Sequence, residues 1–126
     1  MIRDFNRGTV GWTDWNLLLD QTGGPNHVSN FCFAPIHGDT STGELIYTPT
    51  YYYIGHFSKF VGPDSLRIST SVSRNVVLAT SFLNPDGTMA TIVMNKSDDS
   101  VDYSFFLNDR QVDLKIPPRA MQTLVY

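Results

Sequence analysis

Apolar and polar residues alternate along the second half of the chain with the period of two that half-buried strands require. Leu66, Ile68, Thr70 and Val72 alternate with Arg67, Ser69 and Ser71, and Val101, Tyr103, Phe105 and Leu107 alternate with Asp102 and Ser104. Val112, Leu114 and Ile116 alternate in the same way with Gln111, Asp113 and Lys115. Successive strand side chains point to opposite faces, so the pattern predicts antiparallel strands with one face on a core and one in water. Six strands are expected, near 65–72, 76–83, 88–95, 101–107, 110–116 and 121–125. Asn84-Pro-Asp-Gly87 is a strong hairpin turn, since proline pre-sets φ and glycine accepts the left-handed position. Asn108-Asp109 makes a second tight turn, Lys96 to Ser100 reads as a polar hairpin loop, and Pro117-Pro118 interrupts the edge before the last strand.

The first half reads differently. Val10, Trp12, Asp14 and Asn16 alternate with Gly11, Thr13, Trp15 and Leu17, which predicts a strand from about Thr9 to Leu18 after a polar lead-in from Asp4 to Gly8. Gln21 to Pro25 turns the chain, Asn26 to Ile36 is expected to be irregular and pressed against the preceding strand, and Asp39 to Glu44 is a surface turn before a short extended piece at Leu45 to Tyr47. Thr48-Pro49 opens a helix, with Thr48 as N-cap and Pro49 at the first helical position, where no backbone donor is lost. Tyr53, Phe57 and Phe60 follow at helical spacing with His56 on the same side, and Gly62-Pro63 ends the run. That spacing makes the Tyr51 to Tyr53 run a packing face rather than a sugar platform, and His56 a hydrogen-bonded core or interface histidine rather than a base.

Composition narrows the classes. At 126 residues the chain fits one ordinary domain, with 41% hydrophobic and 13% aromatic residues, as globular chains have. A formal charge of -3 and a pI near 5.4 leave no basic footprint for nucleic acid, and no apolar run is long enough for a membrane span. The start, Met-Ile-Arg-Asp-Phe-Asn-Arg, is too short and polar for a signal peptide. Cys32 stands alone, so no internal disulfide is expected, and its neighbours Phe31 and Phe33 suggest a small buried hydrophobe rather than a nucleophile. Asp98 and Asp99 do not match a calcium loop, and neither a metal nor a cofactor is expected.

Candidate chemistry is concentrated between Gly11 and Ile36, which holds both tryptophans, Cys32, and the pair Asn16 and Asn30 around a Gly-Gly-Pro turn. An indole face stacks on the C–H face of a pyranose while Asn and Asp bond its hydroxyls, so this stretch suits a concave sugar-binding surface. On residue types alone, buried core tryptophans with strand-end capping polar groups are the commoner arrangement.

Gly11-Trp-Thr-Asp-Trp-Asn16, Gly23-Gly-Pro-Asn26, Asn30-Phe31 with Ala34-Pro-Ile36, and Tyr53-Ile-Gly-His-Phe-Ser-Lys-Phe60 together resemble the C-terminal part of glycoside hydrolase family 30, the family of acid β-glucosidase (glucosylceramidase) and its bacterial relatives. Four blocks in the right order and spacing make the resemblance specific, and it covers the chain from about Asp4 to Tyr126. It implies that the first block is the eighth strand of a (β/α)8 barrel and that the last lies on the final barrel helix. The remainder belongs to a β-sandwich whose missing strands precede the barrel. The expected fold is therefore mainly β: an antiparallel β-sandwich of Ig-like or Greek-key type preceded by the last β/α unit of a barrel. Residues 1–62 would be the barrel remnant and 63–126 the sandwich. A complete barrel needs about 250 residues, so the chain would be a piece of a larger protein.

Retaining glycosidases use two carboxyl groups about 5 Å apart, one as acid/base and one as nucleophile. The resemblance implies two glutamates for these roles, on the fourth and seventh barrel strands. The sole glutamate here, Glu44, lies in a turn past the eighth strand and matches neither, so no catalytic residue is expected within the chain. Asp14 is expected to hold the strand end and its loop. What carries over is substrate contact: Trp15 as a hydrophobic wall and Asn30 as a hydrogen-bonding group at the sugar pocket. The implied partners are a β-linked carbohydrate and the missing barrel and sandwich strands, and the implied activity is that of a retaining β-glycosidase in which this chain alone is inactive. The alternative is a non-catalytic carbohydrate-binding or structural β-sandwich module, which would have no need of the Gly11 to Asn30 block.

Overall fold

In a computed structural model that describes residues 1–126, the elements in chain order are α1 (Ile2–Asn6), β1 (Leu18–Asp20), β2 (Ile36–Gly38), β3 (Leu45–Tyr47), α2 (Pro49–Ser58), β4 (Leu66–Ile68), β5 (Val77–Leu83), β6 (Met89–Asn95), β7 (Val101–Leu107), β8 (Arg110–Ile116) and β9 (Met121–Val125). They fall into two compact units, Gly11–Gly55 and a second made of Met1–Val10 with His56–Tyr126.

The second unit is built on the hairpin of β5 and β6, paired from Val77 with Asn95 to Leu83 with Met89. Its turn is the Asn84–Gly87 sequence. Asn84 N–H donates to the Thr88 carbonyl at 2.8 Å, and Gly87 takes φ +86°, which a side chain would resist. Strands β4 and β9 flank the hairpin in an antiparallel sheet of order β4-β5-β6-β9, while β7 and β8 form a separate hairpin. Alternation along β5 and β6 then separates two cores. Val77, Ala79 and Val93 pack with Val101 and Ile116 of the β7–β8 hairpin. Phe82 and Ile92, on the opposite face, pack with Ile2 of α1 and Phe57 of α2. Phe5 stacks on Phe57 with centroids 5.4 Å apart and meets Phe82 edge-on at 5.5 Å. Asn6 donates to the Ala79 carbonyl at 2.8 Å, on the part of β5 that β4 does not reach. Between the four-stranded sheet and the β7–β8 hairpin lies an open cleft of about 990 Å³, lined by Val77, Ala79 and Ser81 of β5 and by Tyr103, Phe105 and Leu107 of β7.

In the first unit β2 is central, parallel to β1 and antiparallel to β3.

All six strands of the second half form, but β4 is confined to three residues and Ser69 to Arg74 leave the sheet. Lys96 to Ser100 is not a hairpin loop, because β6 and β7 belong to different sheets. The strand expected over Thr9 to Leu18 is absent except at its end. Ladder bonds need a neighbour, and only Leu18 to Asp20 has one, through pairing with Ile36 to Gly38. Only the Asp4 to Asn6 part of the expected polar lead-in is helical, as the end of α1, which is held by the packing of Ile2 and Phe5. Pro49 starts α2 as expected, yet the Thr48 hydroxyl donates to the Pro35 carbonyl at 3.0 Å rather than capping the helix. Phe60 lies beyond the helix end at Ser58, leaving Phe57 as the buried contact of that run.

Candidate functional site

The loop that links β1 to β2 is fixed from its ends inward. Asp20, the last residue of β1, accepts on one carboxylate oxygen from Thr22 N–H at 2.8 Å, the Thr22 hydroxyl at 2.6 Å and Gly24 N–H at 2.9 Å. These bonds, led by the hydroxyl, hold its carboxyl below the usual range. Gly23 follows at φ +76°, and a Cβ there would sit 2.5 Å from Cys32 N and 2.6 Å from Cys32 O, so only glycine allows the two sides of the loop to approach this closely. The Gly23 carbonyl accepts Cys32 N–H at 3.2 Å, which closes the neck.

His37, on β2 and 6% exposed, ties the loop's ends together. Its Nδ1 lies 2.8 Å from the Asp20 carbonyl, and its Nε2 accepts Ala34 N–H at 3.2 Å. The two bonds select one neutral tautomer, with the proton on Nδ1. Phe31 stacks on the imidazole at 5.5 Å and Phe33 meets it edge-on at 5.6 Å.

Within the neck, the Asn26 amide uses its full capacity. It donates to the Gly23 carbonyl at 3.1 Å and the Asn30 carbonyl at 2.5 Å, and accepts from Val28 N–H and Asn30 N–H, each at 3.2 Å. Ser29 takes φ +53° and turns the backbone just before Asn30.

Of the two residues expected to meet sugar, Trp15 lies on the non-strand approach to β1 and is 77% exposed, its N–H donated to the Asp14 carboxylate at 2.9 Å. Asp14 therefore fixes the backbone of Trp15 and reaches no residue of the loop. Asn30 is exposed near the loop's end, and its Oδ1 has only the Cys32 thiol, at 3.9 Å, for a neighbour. The backbone of Asn30 is clamped at its N–H and its carbonyl, while its exposed side-chain amide has the Cys32 thiol as its one hydrogen-bond partner. No hydrogen bond or ring contact joins Trp15 to Asn30 directly. Cys32 is only partly buried, and Phe31 and Phe33 are 61% and 60% exposed, so the thiol is not the small buried hydrophobe expected. The missed residues are Asn26, His37 and Asp20. The Gly-Gly-Pro-Asn block marked the place, but its spacing alone did not reveal that the asparagine grips Asn30 four residues on.

Glu44 sits exposed in the β2–β3 turn, its carbonyl accepting Asp39 N–H at 2.8 Å. No group of three His, Cys, Asp or Glu side chains is placed to hold a metal ion. His56 packs in the second unit with Nδ1 2.8 Å from the Thr123 hydroxyl, and burial pushes its pKa down.

The chain matches the glycosyl hydrolase family 30 TIM-barrel domain over residues 1–61 and the glycosyl hydrolase family 30 beta sandwich domain over residues 64–124. It is 42% identical over 93 residues to the lysosomal acid glucosylceramidase of Mus musculus, covering 73% of this chain and 18% of that protein. Its structure superposes on SrfJ from Salmonella typhimurium with a TM-score of 0.96 at 35% identity, over 99% of this chain and 28% of SrfJ. Against the endo-beta1,6-glucanase BT3312 the TM-score is 0.86 at 28% identity, over 97% of this chain and 28% of that one. A mainly β chain with antiparallel sheets, preceded by the end of a barrel, has the architecture of the glycosyl hydrolase family 30 beta sandwich and its approach. The chain belongs to glycosyl hydrolase family 30. It spans 25% of the length of one curated relative and 18% of another.

Proposed function

We propose that this chain supplies the C-terminal part of a retaining β-glycosidase of glucosylceramidase type, with Trp15 and Asn30 bordering the sugar pocket and both catalytic glutamates in sequence outside it. Residues 1–62 are the end of the barrel in this reading and 63–126 the accessory sandwich, in keeping with the two family matches. The observation that carries it is Asn30: an exposed amide with free hydrogen-bonding capacity, on a loop whose backbone is tied at every turn. A backbone clamped around an exposed amide that is bonded only by a thiol suits ligand contact, where pre-organisation lowers the entropy lost on binding. Trp15 presents an indole to solvent at the entry to the same unit, where it would stack on a pyranose face. The open cleft of the second unit is what a sandwich lacking some of its strands would leave, and those strands would come from the rest of the protein.

The test is steady-state kinetics of the complete enzyme on an aryl β-glucoside. Trp15→Ala and Asn30→Ala should each lower kcat/KM by about 5- to 150-fold, the equivalent of roughly 1–3 kcal/mol of lost stacking or hydrogen bonding. Unchanged kcat/KM in both folded variants would remove these residues from the pocket.

A further inference from the structure

We infer that Asn26 is the positioning residue of the sugar-contacting loop, setting the orientation of Asn30 by holding that residue's own N–H and C=O in a two-point side-chain clamp. The inference rests on the pocket reading of Asn30 and extends it to a residue that touches no sugar.

Its basis is a complete hydrogen-bond account. A primary amide has two N–H donors and an oxygen that accepts twice, and Asn26 uses all four positions on main-chain groups. Both contacts of the nitrogen are to carbonyls and both contacts of the oxygen are to N–H groups, so the amide's orientation follows from its partners rather than from a choice between similar atoms. Two of the four bonds go to Asn30 itself, at 2.5 Å to its carbonyl and 3.2 Å from its N–H. The side chain thus does for Asn30 what a neighbouring strand would do, in a loop that has no such neighbour. The other two bonds reach the Gly23 carbonyl, in the neck closed by Cys32, and Val28 N–H, just before the left-handed turn at Ser29. A left-handed serine is held only where its surroundings fix it, and the clamp spans that residue. The orientation of the Asn30 amide is therefore referred back to the neck and, through Asp20 and His37, to the β1–β2 pair.

No other side chain reproduces this. Aspartate keeps the size and both acceptor contacts but replaces two donors with an oxygen facing two carbonyls. Glutamine adds a methylene inside a ring of contacts already at bonding distance, and alanine removes all four bonds.

The experiment is a double-mutant cycle in the complete enzyme, using Asn26→Ala, Asn30→Ala and the pair, with Asn26→Asp in parallel and thermal melts to establish folding. If Asn26 acts through Asn30, Asn26→Ala and Asn26→Asp each lower kcat/KM tenfold or more, but change it less than twofold when Asn30 is already alanine. A general loosening of the loop would instead give losses that multiply. Multiplying losses, or a silent Asn26 beside a damaging Asn30→Ala, overturn the inference and leave the pocket reading standing. A silent Asn30→Ala defeats the pocket reading, and this inference with it. Should Asn26→Ala fail to fold, Asn26→Asp runs the same cycle and is judged by the same limits.

Discussion

Asn84 and Asn95 repeat in the second unit what Asn26 does in the first. Asn84 donates to the Phe60 carbonyl and the Thr88 hydroxyl and accepts from Gly62 N–H and the Ser65 hydroxyl. Asn95, fully buried, donates to the Asp99 and Pro117 carbonyls and accepts from the N–H and hydroxyl of Ser97. The aspartates follow a local rule: Asp20, Asp39 and Asp86 each accept from the N–H and hydroxyl of the Ser or Thr two positions on. These three turns were legible in the sequence, although the Asp-x-Ser/Thr spacing alone does not mark a turn, since Asp102 and Ser104 share it within β7. The asparagine bonds were not legible, because their partners lie as far as 24 residues away and no spacing encodes them. At this scale the chain should lose stability to acid in two steps. Burial lowers the His56 pKa from its ordinary 6.5, so the unfolded chain takes up that proton first, and stability falls as pH drops below 6.5 until the folded form is protonated too. The hydrogen-bonded carboxyls of Asp20, Asp39, Asp86 and Asp113 sit below their ordinary 3.8, so their contribution is intact above that pH and is lost only below it. Urea midpoints across pH should show both steps, and His56→Gln should abolish the upper one alone; a variant that still loses stability between pH 7 and 5 as the native chain does would refute the assignment.

Elements with a two-residue period and a strong turn were legible at once. β5 through β9 lie close to where the alternation puts them, since each has a neighbour to pair with and a face to bury. The same alternation misled at Thr9 to Leu17, where no strand lies alongside, which shows that period is a statement about faces and not about partners. α1 was missed for the opposite reason: five residues are too few to display a period, and the helix exists because Ile2 and Phe5 find Phe57 and Phe82. The Asn84–Gly87 turn gives the element-scale prediction. Gly87→Val forces a β-branched side chain into φ +86° with no neighbour obstructing it, so the penalty is one of backbone conformation. About 1–2 kcal/mol should be lost, read as a lower urea midpoint at unchanged slope. A variant as stable as the native chain would mean that the turn adopts another geometry.

On the scale of the whole molecule, the fold class and family were open to reading because four sequence blocks kept their order, whereas the arrangement of the site was not, because it rests on main-chain bonds. The chain's one glutamate is an exposed turn residue with no second carboxyl bonded beside it. Double displacement needs a nucleophile and a proton donor about 5 Å apart across one bond. The isolated chain should therefore release no nitrophenol from aryl β-glucosides or β-xylosides above the buffer rate, with Glu44→Gln as control. Turnover that disappears in the control would show an active site of the chain's own.

The packing of α1 beside Phe57 and Phe82 has a consequence for how the chain assembles and how it tolerates change. In connectivity, Gly11–Gly55 is an insertion into a unit whose two parts meet at Phe5, Phe57 and Phe82. Bringing Phe5 to Phe57 closes a loop of roughly fifty residues, an entropic charge of about 3.5 kcal/mol that would rise by only about 0.6 kcal/mol if the loop doubled. Strands β4 to β9, joined by short connections, can form before α1 docks. Residues can thus be added to or deleted from the Gly11–Gly55 unit with little change in the entropy of closing the other unit, and selection can reshape one without having to rebuild the other.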